Sequence, residues 1–246
     1  MRLFGLIGFP LAHSFSRKYF DEKFLSQGLH DCAFENFPLR NIEEVKQLIV
    51  DHPNLEGFAV TIPYKKKIIR FLDEGTDAVR QMVACNCVKI ENGKLKGFNT
   101  DVIGFEISFT KHLQPHHTKA LILGTGGSAD AIAYVLRKLN IEYLFVSRSK
   151  EIKPKTISYK ALAEALFQDH TIIINCTPVG TYPAIDEYPK IPYDYITPQH
   201  YLFDLVYNPA ITIFLDKGKQ QGAAICNGYE MLVEQAEANW RIWNKY

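Results

Sequence analysis

The chain has 246 residues, with 28 Lys and Arg against 27 Asp and Glu, a formal charge of +1. That length predicts between one and two domains, and so even a balance argues against a general nucleic-acid binder, which needs a basic excess or patch. Hydrophobic residues at 47% and charged residues at 22% are ordinary globular values and exclude disordered, collagen-like and coiled-coil classes.

Residues 2–8 (RLFGLIG) read as a buried strand. Arg2 and the apolar run Leu3–Ala12 imitate a short signal peptide, but Gly5, Gly8 and Pro10 interrupt that run as a helix. A helix is expected over 16–28, with Phe20, Phe24 and Leu25 on one side. A strand over 32–37, a helix over 41–50 and a strand over 57–62 (GFAVTI) follow, and Pro63 sits where another helix can start. Residues 83–90 and 95–99 read as a hairpin around the turn ENGK, followed by a helix over 101–112. A second series begins near His117, with strands at 119–123, 142–147, 171–175, 201–205 and 223–226. Its helices are expected at 127–139, 158–167, 210–220 and 229–243. Such alternation implies parallel sheets flanked by helices, here two α/β lobes.

Cys32, Cys85, Cys87, Cys176 and Cys226 are odd in number and form no C-x-x-C. A disulfide scaffold is therefore not expected, and a reducing, cytoplasmic location is. Cys85 and Cys87 read as alternation on one strand face. With no histidine pair at ligand spacing beside them, no metal is expected. No run reaches the roughly 18 apolar residues of a membrane span.

The clearest local signal is the strand KALIL, then GTGGSA at 124–129, then a helical run. Gly124 permits the tight turn, Gly126 lets backbone N–H groups approach phosphate oxygens, and the helix N-terminus favours an anion. Ala129 stands at the third glycine position, which the dinucleotide fingerprint tolerates. The next strand ends in Ser147-Arg148-Ser149-Lys150 rather than in a carboxylate. Arg148 would pair with a ribose 2′-phosphate, so the residues favour NADP(H) over NAD(H).

Three segments of the first lobe carry polar groups at the carboxyl ends of strands, where open α/β sheets bind ligands. They hold Ser14 and Ser16, Thr61 and Lys65 (VTIPYK), and Asn86 with Asp101 (ACNCV, GFNTD). Each has a plainer reading: the serines as caps, Lys65 as one of a solvated KKK run, Asp101 as a helix N-cap. Met231, Gln235, Ala238 and Ile242 share one helical face, and a glutamine in an apolar stripe needs a hydrogen-bond partner if buried. A ring hydroxyl and a backbone carbonyl are the two candidates for that partner.

The chain resembles the shikimate dehydrogenase family along nearly its whole length. The matching stretches are GFPLAHSFS (8–16), GFAVTIPYK (57–65), ACNCV (84–88), GFNTD (97–101), GTGGSA (124–129), SRS (147–149), NCTPVG (175–180), DLVYNP (204–209) and NGYEMLVEQA (227–236). The resemblance implies reversible reduction of 3-dehydroshikimate to shikimate with NADPH, in chorismate and aromatic amino-acid biosynthesis. It implies two α/β lobes: a substrate-binding domain of 1–101 plus 229–246, and a Rossmann-like NADP-binding domain of 102–228. By position, Lys65 and Asp101 match the family's catalytic pair. Ser14, Ser16, Thr61, Asn86, Tyr207 and Gln235 match its substrate-binding groups. Gly124, Gly126, Gly127, Ser147, Arg148, Ser149, Thr177, Val179 and Gly228 match cofactor contacts. The chemistry suits these residue types. Hydride transfer to a ketone carbon builds negative charge on oxygen, which Lys65 can protonate and stabilise, with Asp101 orienting Lys65 and binding a hydroxyl.

The chain departs from the family pattern at Ala59, where asparagine is common, at Cys87 for threonine, at Val102 for glycine and at Arg17 for proline. Between Arg148 and Thr171 it has room for one helix rather than two, so a crossover helix beside the adenosine pocket is expected to be missing. Beside the leading reading stand a quinate/shikimate dehydrogenase using NAD(H), which Arg148 opposes, and a cofactor-binding sensor without turnover, which an intact Lys65 and Asp101 oppose. A small-molecule substrate is expected and no nucleic acid or membrane partner; the chain is expected to be a monomer or a homodimer.

Overall fold

The computed structural model describes residues 1–11, 15–148 and 154–244. The chain divides into two units, Met1–Thr100 with Gln235–Tyr246, and Asp101–Glu234.

In the first unit, β1 (Arg2–Gly8) lies between β2 (Cys32–Pro38) and β3 (Leu55–Val60), parallel to both. A strand covered on both faces needs consecutive apolar residues, and Leu3 to Gly8 are all buried. The first part of the stretch that imitates a signal peptide, Arg2–Gly8, is thus a central strand. The helices α1 (Phe15–Ser26) and α2 (Glu44–Asp51) follow β1 and β2. Phe20 and Phe24 are buried, but Leu25 is 77% exposed. One residue past Phe24 is about 100° around the helix, which turns Leu25 away from the core.

No helix starts at Pro63. The chain turns, with the Tyr64 N–H bonded to the Thr61 carbonyl, and a single 3₁₀ segment forms at Lys67–Phe71. A two-residue β4 (Glu74–Gly75) and a short α3 (Asp77–Met82), capped by Thr76, were not expected. Val83 ends α3 in the left-handed region at φ 50°, so β5 (Cys87–Glu91) begins later than the hydrophobic pattern implied. β5 and β6 (Lys94–Phe98) form the expected hairpin. Its turn residues Asn92 and Gly93 both have positive φ, 52° and 72°, as a two-residue primed turn requires.

Because β5 runs antiparallel to β3, this sheet is mixed rather than parallel, in the order β2-β1-β3-β5-β6-β4. Successive strand residues feed two core layers. Ile7, Phe58 and Val88 enter one; Leu6, Ala59 and Cys87 enter the other. Cys85 joins the first layer and Cys87 the second, so the two thiols do not share a face. Cys85 precedes the strand, and the alternation does not reach it. The second layer is aromatic. Trp240 and Trp243 of α8 (Tyr229–Asn244) pack on Phe4 at centroid distances of 5.3 and 5.1 Å. The Trp243 indole donates to the Val88 carbonyl at 3.0 Å. Each fully buried ring contributes roughly 1.5–3 kcal/mol.

The second unit opens with α4 (Asp101–Thr110) and carries an all-parallel sheet. Its strands are β7 (Lys119–Leu123), β8 (Glu142–Ser147), β9 (Thr156–Ser158), β10 (Ile172–Asn175), β11 (Tyr201–Asp204) and β12 (Ala224–Cys226). They lie in the order β12-β11-β10-β7-β8-β9. The helices α5 (Gly127–Lys138), α6 (Glu164–Asp169) and α7 (Ile213–Gln220) flank it. The helix expected over 158–167 is instead a 3₁₀ turn at Tyr159–Ala161 followed by the short α6. The strand β9 was not expected. Only residues 148–155 link β8 to β9, fewer than the dozen or so that a helical crossover needs. Among the described residues, no helix is long and apolar enough to cross a membrane.

Candidate active site

In both units the polar residues gather where the sheet order reverses. In the second sheet the chain leaves β7 for β8 on one side and reaches β10 on the other. Ligands of open α/β sheets bind outside the strand ends at such a point. Gly124–Gly127 follow β7, and Cys176–Val179 follow β10. Gly124 has φ +105°, and a Cβ there would lie 3.0 Å from the Thr177 methyl, so this position requires glycine. Built at Gly126 or Gly127, a Cβ meets no atom of the described residues within 4 Å. There the missing side chains leave room for a ligand. The 350 Å³ cleft in front of this loop is walled by Ser147, Arg148, Tyr159 and Thr177. Desolvation pushes the Cys176 thiol well above its usual value, so the wall carries no thiolate. Backbone N–H groups at the start of α5, a cationic side chain and no carboxylate along the described wall suit a phosphorylated dinucleotide.

The Thr177–Val179 segment is held from below. Thr177 donates its backbone N–H and its hydroxyl to Asn175 Oδ1, at 3.1 and 2.6 Å. Asn175 Nδ2 donates to Asp204 Oδ1 at 2.9 Å. The Asp204 carboxylate also accepts the Val206 N–H at 3.0 Å and the Thr212 hydroxyl at 2.6 Å. Asp204 is wholly buried. Burial raises its carboxyl to about 6, while the three donors pull the other way. Tyr207, 39% exposed, lies three residues beyond this anchor. Gly228 is buried against the Leu205 carbonyl oxygen, which a Cβ would approach to 2.2 Å. Close backbone approach is therefore one reason for that glycine.

In the first sheet, β1 leads to β2 on one side and β3 lies on the other. Thr61, just past β3, donates its N–H to the Ile7 carbonyl at 2.9 Å. The Tyr64 side chain is buried and its hydroxyl donates to the Leu39 carbonyl at 2.6 Å. That anchor fixes the residue after it, Lys65, whose carbonyl accepts the Cys85 N–H at 2.8 Å. Asn86 comes next in the chain, and its own carbonyl accepts the Val60 N–H at 2.8 Å. These bonds bring Thr61, Lys65 and Asn86 to one sheet edge. Ser16 is buried in the first turn of α1.

The Asn86 side chain is a junction. Its Oδ1 accepts the Thr100 N–H at 2.6 Å, and its Nδ2 donates to Gln235 Oε1 at 3.2 Å. The Thr100 hydroxyl donates to Asn239 Oδ1 at 2.7 Å. Within the chain, the partner of Gln235 is thus another site residue rather than a backbone carbonyl. With its Oε1 engaged, Gln235 has its Nε2 N–H groups to offer a ligand. Asp101 follows Thr100 and opens α4, so Lys65 belongs to the first unit and Asp101 to the second. Ser14 and Ser149 lie outside the described residues.

Sequence reasoning missed Thr100, Asn239, Asn175, Asp204 and Tyr159. Four of them lie in or beside stretches already singled out: GFNTD, NGYEMLVEQA, NCTPVG and DLVYNP. Tyr159 had no signal, because β9, which places it, was not legible.

Comparison with known proteins is consistent along the chain. The family described as shikimate dehydrogenase substrate binding domain matches residues 6–88. A shikimate dehydrogenase (NADP(+)) of Clostridium beijerinckii is 34% identical, over 100% of this chain and 93% of that one. The crystal structure of shikimate 5-dehydrogenase from Thermus thermophilus, in complex with NADP(H) and shikimate, superposes with a TM-score of 0.85 at 26% identity, covering 99% of this chain and 94% of that one. The enzyme from Listeria monocytogenes, in complex with shikimate and NAD, gives 0.90 at 26% identity, covering 99% and 91%.

Proposed function

The chain belongs to the shikimate dehydrogenase family, and from that premise we propose that it reversibly reduces 3-dehydroshikimate to shikimate with NADPH, Lys65 and Asp101 acting at the carbonyl. The observation that carries this reading is local to the first unit. The backbone bond between Lys65 and Cys85 seats an ammonium-bearing residue beside the Asn86–Gln235 amide pair, at the sheet's switch point.

A polyhydroxylated ring acid needs several short polar groups. Thr61, Asn86 and Gln235 bind its hydroxyls, Gln235 donating through Nε2. Ser14, Ser16 and Tyr207 bind its carboxylate through hydroxyl donors. Lys65 Nζ gives a proton to the ketone oxygen and stabilises the charge that grows there. Asp101 orients Lys65 and accepts a ring hydroxyl. NADPH, when bound, supplies the hydride. The N–H groups of Gly124, Gly126 and Gly127 hold its pyrophosphate, Ser147, Arg148 and Ser149 its 2′-phosphate, and Thr177, Val179 and Gly228 complete the contacts. The segments 1–101 and 229–246 serve the substrate, and 102–228 the cofactor. None of the five cysteines is in a disulfide among the described residues, which fits a reducing cytoplasm, and the enzyme acts as a monomer or a homodimer.

The test is absorbance at the nicotinamide band with shikimate and each oxidised cofactor, then with Lys65→Ala. Shikimate with NADP⁺ should give the signal. Lys65→Ala should lower turnover by about 10²–10⁴ with the fold intact. A loss confined to shikimate affinity would make Lys65 a binding group only.

A further inference from the structure

On one flank of the glycine-loop cleft, β8 and β9 are joined by residues 148–155, a link shorter than a helical crossover needs. What closes that flank is visible in the register. Ser147 pairs with Ser158 at the end of the β8–β9 ladder, so Arg148 and Tyr159 stand side by side one step beyond it. Both line the cleft that Gly124 and Gly126 face. The Tyr159 ring is half-buried and packs on the core that contains Leu121, Leu123 and Val146. A ring seated in this way holds its position without a cost on ligand binding. Burial raises the Tyr159 phenol and the neighbouring Arg148 charge lowers it, the burial effect being the larger. The phenol therefore keeps its proton at neutral pH and can donate it.

We propose that Tyr159 is a further ligand of the cofactor's 2′-phosphate: beside Arg148 on the cleft wall, its hydroxyl donates a hydrogen bond to a phosphate oxygen and helps select NADP(H) over NAD(H). This rests on the NADP(H) dependence proposed above. Arg148 supplies the charge, and Tyr159 supplies a neutral donor from the 3₁₀ turn that follows β9. An adenosine without the 2′-phosphate gains nothing from that donor, so the effect is one of selectivity rather than of general affinity.

The experiment is calorimetric titration of the full chain with 2′,5′-ADP and with 5′-AMP, wild type against Tyr159→Phe. Neither ligand requires turnover, and phenylalanine keeps the ring in its packing. The wild type should bind 2′,5′-ADP more tightly than 5′-AMP. Tyr159→Phe should weaken 2′,5′-ADP about tenfold or more, the size of a lost hydrogen bond to a charged group, and leave 5′-AMP unchanged. A wild type that prefers 2′,5′-ADP with a variant that binds it equally well overturns the role of Tyr159 alone. Equal weakening of both ligands also overturns it, since the ring would then act on the adenosine. A wild type with no preference overturns the NADP(H) reading and this proposal together.

Discussion

At the switch point of the second sheet, the glycine turn reaches its position through backbone alone, and the facing Thr177–Val179 segment hangs from one buried carboxylate through Asn175. At that of the first sheet, the site depends on side chains drawn from distant parts of the chain. Asn86 meets Gln235 across 149 positions, and Thr100 meets Asn239 across 139. Both cores stack aromatic rings, those of β1, α1 and α8 in the first unit and Phe105, Phe109, Tyr201 and Phe203 in the second, but the second also buries three histidines and a carboxylate. A phosphate needs N–H groups at a helix start, which local sequence can provide. A ring with several hydroxyls needs donors and acceptors from many directions, which only long-range contacts can assemble.

The contrast can be tested unit by unit, because both tryptophans, Trp240 and Trp243, belong to the first unit. Tryptophan emission follows that unit, and far-UV circular dichroism follows both. The largest effect is expected from Asp204→Ala. It strips the partner from Asn175, Val206 and Thr212 at once. At about 1–3 kcal/mol for each buried group left unpaired, the dichroism transition should fall by about 3 kcal/mol or more while the emission transition holds. Coincident shifts would show that the units unfold as one and would break the comparison. Thr100→Val is the converse. It removes the hydroxyl that Asn239 accepts and keeps the shape, so the emission transition should fall by about 1–3 kcal/mol. Thr100→Ser should restore it. A fall in dichroism alone would place the network's energetic weight in the wrong unit.

The smallest effect expected is that of pH. His117, His170 and His200 are buried in the second unit. Burial lowers all three below the ordinary 6.5. The Nδ1 atoms of His117 and His200 accept the backbone N–H groups of Gln114 and Thr197, so a second proton would face a donor. As pH falls below about 6.5, the unfolded chain takes up protons that the folded one refuses, and stability is lost. Asp204, raised to about 6, works the other way: it takes up a proton in the folded state first. Three imidazoles against one carboxyl leave a net loss. From pH 7 to 5 the dichroism transition should move down further than the emission transition. An equal movement of both would remove the histidines as the cause.

Most of the fold was legible. The strands β1, β7 and β8 lie where their apolar runs place them, and the glycine turn sits between strand and helix as its spacing requires. What escaped is instructive. The stretch around Val83–Cys85 read as strand, but a left-handed residue ends α3 and delays β5. The segment 158–167 read as one helix, yet Ser158 pairs with β8 and Tyr159–Ala161 form a 3₁₀ turn. Short elements of this kind are set by their neighbours, not by their own periodicity. In the site, Lys65, Asn86 and Gln235 were singled out. Thr100, Asn239, Asp204 and Tyr159 were not, because a polar residue acquires its role from what it faces.

The amino-acid sequence by itself determined the alternation of elements, the phosphate-binding turn and the residue types fit for carbonyl reduction. Each of these depends on neighbours a few positions apart, through periodicity, backbone freedom and helix ends. Only the tertiary structure decided that Asn86 joins Gln235, that Asp204 anchors Thr177, and that Tyr159 lines the cleft beside Arg148. The physical reason is that a hydrogen bond acts over about 3 Å, and no separation along the chain reveals which groups come within that reach.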